Sequence, residues 1–316
     1  MRKFSTLILL FTAPIVIILI STELLLRNIP NDYSYKCNYL NKNSNAIEVL
    51  YLGNSHIYFG LNPEYSKHKS FNAAHISQSL NYDLALLEKY NQNWKNLKCI
   101  VIPIDYFSMY SSLESGVEKW RIKNYKIYYD IYQDHYFWNQ FELTNGKFND
   151  NISRLKKNTF KNQSDLSCNT LGFGTTYNSK FNKNLIETGE ESAQRHTLNI
   201  NNNRWFSRNK KTINAIIKFS KQHNVKILFI TCPAYKSYIQ NLKQKQLNTT
   251  IATISQICLK NKNTYYHNLL MDKSFKEVDF YDADHLNEIG AQKLTQKIDS
   301  LLTSNTTQCL KNPSKK

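Results

Sequence analysis

The sequence predicts an α/β fold: a central parallel sheet, with an N-terminal transmembrane helix and an aromatic-rich insertion added to it. Two observations carry the sheet. Short, mostly apolar runs at Ile47–Leu52, Cys99–Ile104, Val225–Thr231 and Tyr265–Leu270 have the length of strands. The most continuous of them, Cys99–Ile104, has the character of a strand covered on both faces. Between and after these runs, apolar residues recur at helical spacing: Leu80, Leu84, Leu87 and Trp94; Ile213, Ile216 and Ile217; Leu247, Ile251, Ile254 and Cys258; Ile289, Leu294, Ile298 and Leu301. Such β-α alternation builds a parallel sheet with helices on both sides. Asn287 is a good N-cap for the last helix, because its side chain can accept from free N–H groups of the first turn.

The third observation is N-terminal. Phe4 to Thr22 carries no charge and consists mostly of Leu, Ile, Val and Phe, with Arg2 and Lys3 before it and Arg27 after it. About 20 apolar residues at roughly 1.5 Å rise each match a bilayer core. Glu23 lies at the interfacial end. A cleaved signal peptide or a buried core helix are the rival readings, but no small-x-small cleavage pattern follows the run. The flanking charges of Arg27, Lys36 and Lys42 nearly balance those of Arg2, Lys3 and the amino terminus. A long C-terminal domain translocates largely regardless of such charges, so the expectation is a cytoplasmic N-terminus and an extracytoplasmic body, periplasmic or at the cell surface.

The 316 residues then divide into an anchor (1–27), a polar irregular tether (28–45), an α/β domain (46–302) and a polar, disordered tail (303–316). The β-α rhythm breaks in an insertion at about 107–203. This stretch holds Trp120, Tyr125, Tyr128, Tyr129, Tyr132, Tyr136, Phe137 and Trp138, then a polar region around Gly172-Phe173-Gly174. It is expected to pack over the ligand-binding edge of the sheet. Exposed rings there could stack on sugar faces; alternatively, Tyr125, Tyr129 and Tyr132 are core contacts of an amphipathic helix.

Lys plus Arg number 41 against 24 Asp plus Glu, a formal charge of +17, which favours anionic partners such as acidic glycans or phospholipid headgroups. No helix-turn-helix, zinc-finger or RNP-like pattern supports nucleic acid. Cys37, Cys99, Cys168, Cys232, Cys258 and Cys309 include no CxxC pair. Cys99 and Cys232 read as small core residues, and pairing among Cys37, Cys168 and Cys309 stays open. No cofactor is implied. A metal site at Asp282, Asp284 and His285 lacks further ligands at clear spacing.

Chemistry is concentrated in two segments. Gly53-Asn54-Ser55-His56 follows the first strand, and Asp282-Ala283-Asp284-His285 lies between the last strand and the last helix. In an open parallel sheet, ligands bind beyond the carboxyl ends of the strands, so both segments reach one edge. A serine needs a base to lose its proton, and the base needs a group to hold its tautomer. Ser55, His285 and Asp282 supply these parts. Asp284 reads as a solvent-facing carboxylate, and His56 and His75 as local hydrogen-bonding residues with a place at the pocket. Pro233, Tyr235 and Tyr238, after the third run, are positioned to shape the cleft.

At these residues the chain resembles the SGNH/GDSL hydrolase superfamily of lipases, carbohydrate esterases and glycan O-acetyltransferases. The family's first block matches Gly53-Asn54-Ser55-His56, and its Asp-x-x-His block matches Asp282 and His285, continuing through Leu286-Asn287 and Gly290-Ala291. The second block is similar to Phe71-Asn72-Ala73-Ala74-His75-Ile76-Ser77-Gln78, with Ser77 where the family tends to have glycine. The third block, usually Gly-x-Asn-Asp, corresponds to Pro103-Ile104-Asp105-Tyr106-Phe107-Ser108 and lacks the oxyanion-binding asparagine.

The resemblance implies a flavodoxin-like three-layer sandwich and an acyl-serine mechanism with Ser55, His285 and Asp282 as the catalytic residues. Backbone N–H groups of Ser55 and Ser77 would bind the oxyanion, with Asn72, Tyr106, Ser108 and His56 as further oxyanion or substrate contacts. The missing asparagine leaves three outcomes: Tyr106 or Ser108 replaces it, the enzyme is slow, or a partner completes the site. The expected function is an extracytoplasmic esterase or O-acyltransferase, acetyl being the favoured group, acting on a cell-envelope polysaccharide and served by a membrane-bound acyltransferase. The rival is a catalytically degenerate glycan-binding or scaffold protein.

Overall fold

A computed structural model describes residues 2–133, 136–144, 148–201 and 203–304. The helices are α1 (Arg2–Arg27), α2 (Asp32–Asn43), α3 (Ser55–Tyr58), α4 (Leu80–Lys89), α5 (Ile122–Tyr129), α6 (Phe148–Lys161), α7 (Leu185–His196), α8 (Arg204–Gln222), α9 (Lys236–Gln240), α10 (Gln244–Leu259) and α11 (Glu288–Thr303). The strands are β1 (Val49–Tyr51), β2 (Ser70–Asn72), β3 (Cys99–Pro103), β4 (Lys226–Thr231) and β5 (Thr264–Asn268). The chain forms two compact units, one of residues 1–37 with 117–166, the other of residues 38–116 with 167–316.

The larger unit holds the sheet. Its described strands are all parallel and run in the order β2-β1-β3-β4-β5, a doubly wound order whose direction reverses at β1. Right-handed crossovers then send α4, α8 and α10 to one face and α3 to the other. Consistent with this, α4 packs on α8; α11 packs on the turn Pro63–Tyr65. Val49, Leu50, Ile100, Val101, Ile102, Leu228, Phe229 and Ile230 are sealed from solvent, each such side chain contributing about 1.5–3 kcal/mol by leaving water. The four apolar runs became β1, β3, β4 and β5. Strand β2 was not expected, being only three residues long; its register aligns Phe71 with Leu50. On its outer side Asn72 N–H donates to Leu171 O at 3.0 Å, so the 167–175 segment begins to cover this sheet edge.

The smaller unit is built on α1. Phe4 to Ile20 leave their large apolar side chains exposed, while Leu26 and Ile29, just beyond, are fully buried. Among the described residues, α1 is the one helix long and apolar enough to cross a membrane. The Glu23 carboxylate accepts from the backbone N–H groups of Glu142 and Leu143, both at 3.0 Å, and from Arg27 Nε at 2.6 Å. Arg27 in turn donates to Gln140 O at 2.7 Å. The buried Glu142 carboxylate takes Lys123 Nζ at 2.6 Å, Arg154 Nη1 at 2.9 Å and Tyr128 Oη at 2.8 Å. An unpaired carboxylate there would be costly, and the two cations hold its pKa down against burial.

Two sequence expectations are corrected. The 28–45 segment is not irregular: Asn31 Oδ1 accepts from Tyr33 N and Ser34 N, capping α2, and Tyr33, Cys37 and Leu40 bury one face of that helix. Of the insertion, 107–116 and 167–203 belong to the sheet unit; residues 117–166 group with α1. Tyr125 and Tyr129 are buried against Tyr33 in edge-on pairs at 5.3 and 6.5 Å. Residues 305–316, most of the expected tail and Cys309 with it, lie outside the described residues. No disulfide joins Cys37, Cys99, Cys168, Cys232 or Cys258 to another described residue.

Candidate active site

Ser55 is delivered by a glycine turn. Gly53 follows β1 with φ +117°, in the region that side chains disfavour, and a Cβ there would lie 2.2 Å from Pro103 Cδ. Only glycine lets the chain turn so closely under β3. Asn54 then caps α3, its Oδ1 accepting from His56 N at 2.9 Å. Ser55 is therefore the first residue of a one-turn helix rather than part of a loop, and it remains partly exposed.

The other half follows β5. The Asp282 Oδ1 accepts from Asp284 N at 2.9 Å and His285 N at 2.8 Å, an Asx turn that folds the carboxylate back on its own segment. The same carboxylate meets His285 Nδ1 at 3.0 and 3.2 Å. Asn287 locks the segment from behind: its Oδ1 caps α11 at Ile289 N and Gly290 N, while its Nδ2 donates to Val278 O and Phe280 O.

Across 230 positions of sequence, Ser55 Oγ lies 2.9 Å from His285 Nε2. Asp282 is ionised: burial raises its pKa, but the His285 ring and the turn N–H groups outweigh that and leave it below the ordinary value. An ionised Asp282 holds the proton on Nδ1 and leaves Nε2 free to accept from the hydroxyl.

Behind these residues is a buried charge cluster. His56 Nδ1 is 2.9 Å from Asp105 Oδ2, and its Nε2 is 3.2 Å from Asp284 Oδ1. Burial disfavours an imidazolium, yet the carboxylates on both sides outweigh it and raise the His56 pKa well above its usual value. Asp105 is correspondingly held below its ordinary range, helped by Asn54 Nδ2 at 2.9 Å and the Cys232 N–H at 3.2 Å. Asp284 is lowered far more, with His196, His56 and His285 overcoming its burial. The expected exposure of Asp284 is thus wrong: it is sealed from solvent, with Oδ2 at 3.6 Å from His196 Nδ1 and 3.9 Å from His285 Nδ1. His196 itself is pushed down to about 4 by burial, so it is neutral at neutral pH; its Nδ1 also meets Tyr238 Oη at 3.0 Å.

Ligand atoms of His56, Asp105 and Cys232 lie within 4.8 Å of one another, as do those of His56, Asp284 and His285. His56 is common to both sets. A proton on it already neutralises one carboxylate charge, and burial pushes the Cys232 thiol well up, away from the thiolate a metal requires.

Rings form the wall beside His285. Phe59, Tyr177 and Tyr281 stack face to face, with centroids 3.7 and 4.0 Å apart, and His285 stands edge-on to Tyr177 at 5.2 Å. These are not the rings proposed from sequence for sugar stacking. Both faces of Tyr177 are covered, and Lys183 Nζ lies 5.4 Å over Tyr281.

The expected oxyanion and substrate contacts fare differently. Asn72 is fully committed to structure: Nδ2 donates to Ile57 O and Leu61 O, both at 2.8 Å, and Oδ1 accepts from Ala74 N at 3.1 Å. Tyr106 is buried among Ala193, Tyr238 and Leu242, its hydroxyl paired with Thr197 Oγ1 at 3.0 Å and accepting from Lys243 N at 3.1 Å. Ser108 Oγ accepts from Asp105 N at 2.9 Å. His56 faces two carboxylates rather than the solvent side. None of these four side chains is placed to bind substrate. Ser77 has φ 59°, in the left-handed region that glycine adopts most easily. Its turn is tied to the Gly53 turn before Ser55 by His75 N donating to Gly53 O at 3.1 Å.

His196, Asp105 and the Phe59-Tyr177-Tyr281 stack were not singled out from sequence. For Asp105 a signal existed, since it stands in the block where the asparagine is missing. His196, on a mostly polar helix 89 residues before His285 (285 − 196), offered none.

No family model and no curated protein matches the sequence. Solved structures similar to this chain include a Streptococcus pneumonia protein provisionally described as a platelet activating factor, with 11% identity, 93% of this chain and 98% of that one covered, and a TM-score of 0.41. A Bacteroides fragilis protein provisionally described as an acylhydrolase aligns at 10% identity over 84% and 96% of the two chains, TM-score 0.39. A GDSL-like lipase from Bacteroides thetaiotaomicron aligns at 10% identity over 86% and 99%, TM-score 0.38.

Proposed function

We propose that this chain is an SGNH/GDSL-type serine acyl-transfer enzyme, an esterase or O-acyltransferase working through an acyl-serine. The observation that carries the reading is the continuous relay from Ser55 Oγ to His285 Nε2, and from His285 Nδ1 to Asp282, at 2.9 and 3.0 Å. Ser55 attacks an ester carbonyl as its proton moves to Nε2. Asp282 holds the ring and offsets the imidazolium charge. The proton returns to the leaving alkoxide, and an acyl-serine remains. Water or a sugar hydroxyl then gives its proton to Nε2 and attacks the acyl carbon; the acyl–Oγ bond breaks and Nε2 returns the proton to Ser55 Oγ.

Asp284, facing the same Nδ1 edge of His285, adds a second negative charge beside the transient imidazolium. The oxyanion would rest on the backbone N–H groups of Ser55 and Ser77. Asp105, where the family has asparagine, is an ionised acceptor and cannot donate. Loss of one such donor slows acyl transfer by roughly 10²–10³, so the enzyme is expected to turn over slowly.

The apolar α1, with the basic composition of the chain, supports an extracytoplasmic site facing a cell-envelope glycan, with acetyl as the transferred group. A membrane-bound acyltransferase partner would supply the acyl group if the acceptor is a sugar. The absent third donor favours a second reading, a glycan-binding protein without turnover. A fluorophosphonate probe separates them. Labelling of the wild type that is lost in Ser55→Ala supports acyl chemistry; a folded wild type that never labels supports the binding protein.

A further inference from the structure

The geometry points to a second membrane contact: the rings of Tyr132, Tyr136, Phe137 and Trp138, with helix α6, lie in the headgroup interface of the bilayer that α1 enters, and their ligand is the lipid surface itself. The argument starts at Glu23 and Arg27. They occupy the first turns after the charge-free stretch of α1, where the hydrocarbon core must end. Both are bonded to the 140–143 backbone, through Gln140 O at 2.7 Å and the Glu142 and Leu143 N–H groups at 3.0 Å. If α1 spans a bilayer, this segment is held at the depth of its last turns.

The side chains presented at that level suit an interface. Tyr132, Tyr136, Phe137 and Trp138 are 60–74% exposed, within a few residues of Gln140. Four large rings in one short segment are unusual in water, whereas tyrosine and tryptophan concentrate at the headgroup level, where an apolar body and a polar tip are both satisfied. Helix α6 packs against α1 and adds exposed Phe148 and Phe160. It also carries exposed Lys156, Lys157 and Lys161, a combination of rings and cations that binds anionic lipid surfaces. Arg121 lies over the Trp120 ring at 4.4 Å, pairing a further cation with a partly exposed indole in the same unit.

The test uses the full chain in vesicles of phosphatidylcholine and phosphatidylglycerol, part of the phosphatidylcholine being brominated near the headgroup end of its acyl chains. Bromine quenches only tryptophans that reach it. Wild type should be quenched, and Trp138→Phe should lose most of that quenching while its thermal unfolding is unchanged. Equal quenching of wild type and W138F would overturn the inference. So would full quenching of the Trp138 contribution by iodide in the water phase, which would place the ring where another protein, not lipid, would cover it. The readout involves no catalysis, so it stands or falls independently of the acyl-transfer reading.

Discussion

Nε2 of His56 lies 3.2 Å from Oδ1 of Asp284, both side chains being buried. With Asp105 at 2.9 Å on the other ring nitrogen, His56 is a buried cation between two anions, directly behind the Ser55–His285 pair. Removing the cation takes the shared counter-charge from two buried carboxylates, so His56→Leu should destabilise the fold by about 3–5 kcal/mol. The sign of the pH dependence follows from its raised folded-state pKa. The contribution is complete below the unfolded value of about 6.5 and is lost as pH rises through the folded value. Urea unfolding in detergent at neutral and alkaline pH should show this loss in the wild type and not in H56L.

A second titration runs at lower pH. Burial depresses His196 to about 4, so the unfolded chain binds more protons than the folded one between about 4 and 6.5. Stability should fall as pH drops through that window, by at most about 3 kcal/mol and less than that because the ring is partly exposed. His196→Phe should flatten this part of the profile. An unchanged slope would assign the acid sensitivity to the carboxylates alone.

Asp83 works in the opposite direction. Burial raises it to about 7, against the pull of Gln78 Nε2 at 2.6 Å and the Gly53 N–H. Its folded pKa lies above the unfolded value, so its contribution is complete below about 4 and fades as pH rises through 7. Asp83→Asn should gain stability relative to wild type as pH rises from about 4 to about 7, by up to a few kcal/mol, and keep that gain above 7. Thermal melts in detergent across that range would show a widening gap in favour of D83N, and a constant gap would contradict it.

Asp282→Asn tests orientation separately from nucleophilicity. The amide can present an N–H to Nδ1 and favour the wrong tautomer, so the rate on p-nitrophenyl acetate should fall by about 10⁴ with little change in KM. Asn72→Ala tests the opposite case. With both amide donors holding Ile57 O and Leu61 O, its loss should cost about 2–3 kcal/mol of stability. A substrate-binding role would instead lower turnover in a protein that melts normally.

The strands were legible because sheet-core residues carry their own signature. Val49–Tyr51, Cys99–Pro103 and Lys226–Thr231 sit inside apolar runs that needed no tertiary information. The meeting of Ser55 with His285 was legible for a topological reason, since both follow strands of one parallel sheet and must reach its carboxyl edge. Helix α2 was hidden because its buried Tyr33, Cys37 and Leu40 are separated by Asn and Lys. Asp284 was misjudged because an acidic residue just before a helix is usually solvated; only the folded position of His56 shows why it is buried. Tyr106, Ser108 and Asn72 stand at the sequence positions of substrate contacts, but each side chain answers a nearby backbone group first.

The hydroxyl at position 55 and the imidazole at position 285 come from nearly opposite ends of the chain. During synthesis the serine emerges long before its hydrogen-bond partner at position 285. On the proposed mechanism, a polypeptide cut off before His285 would lack the base for Ser55 however well its first strands have assembled. On the proposed acyl-serine reading, labelling of this serine would therefore report that the segment carrying His285 has docked.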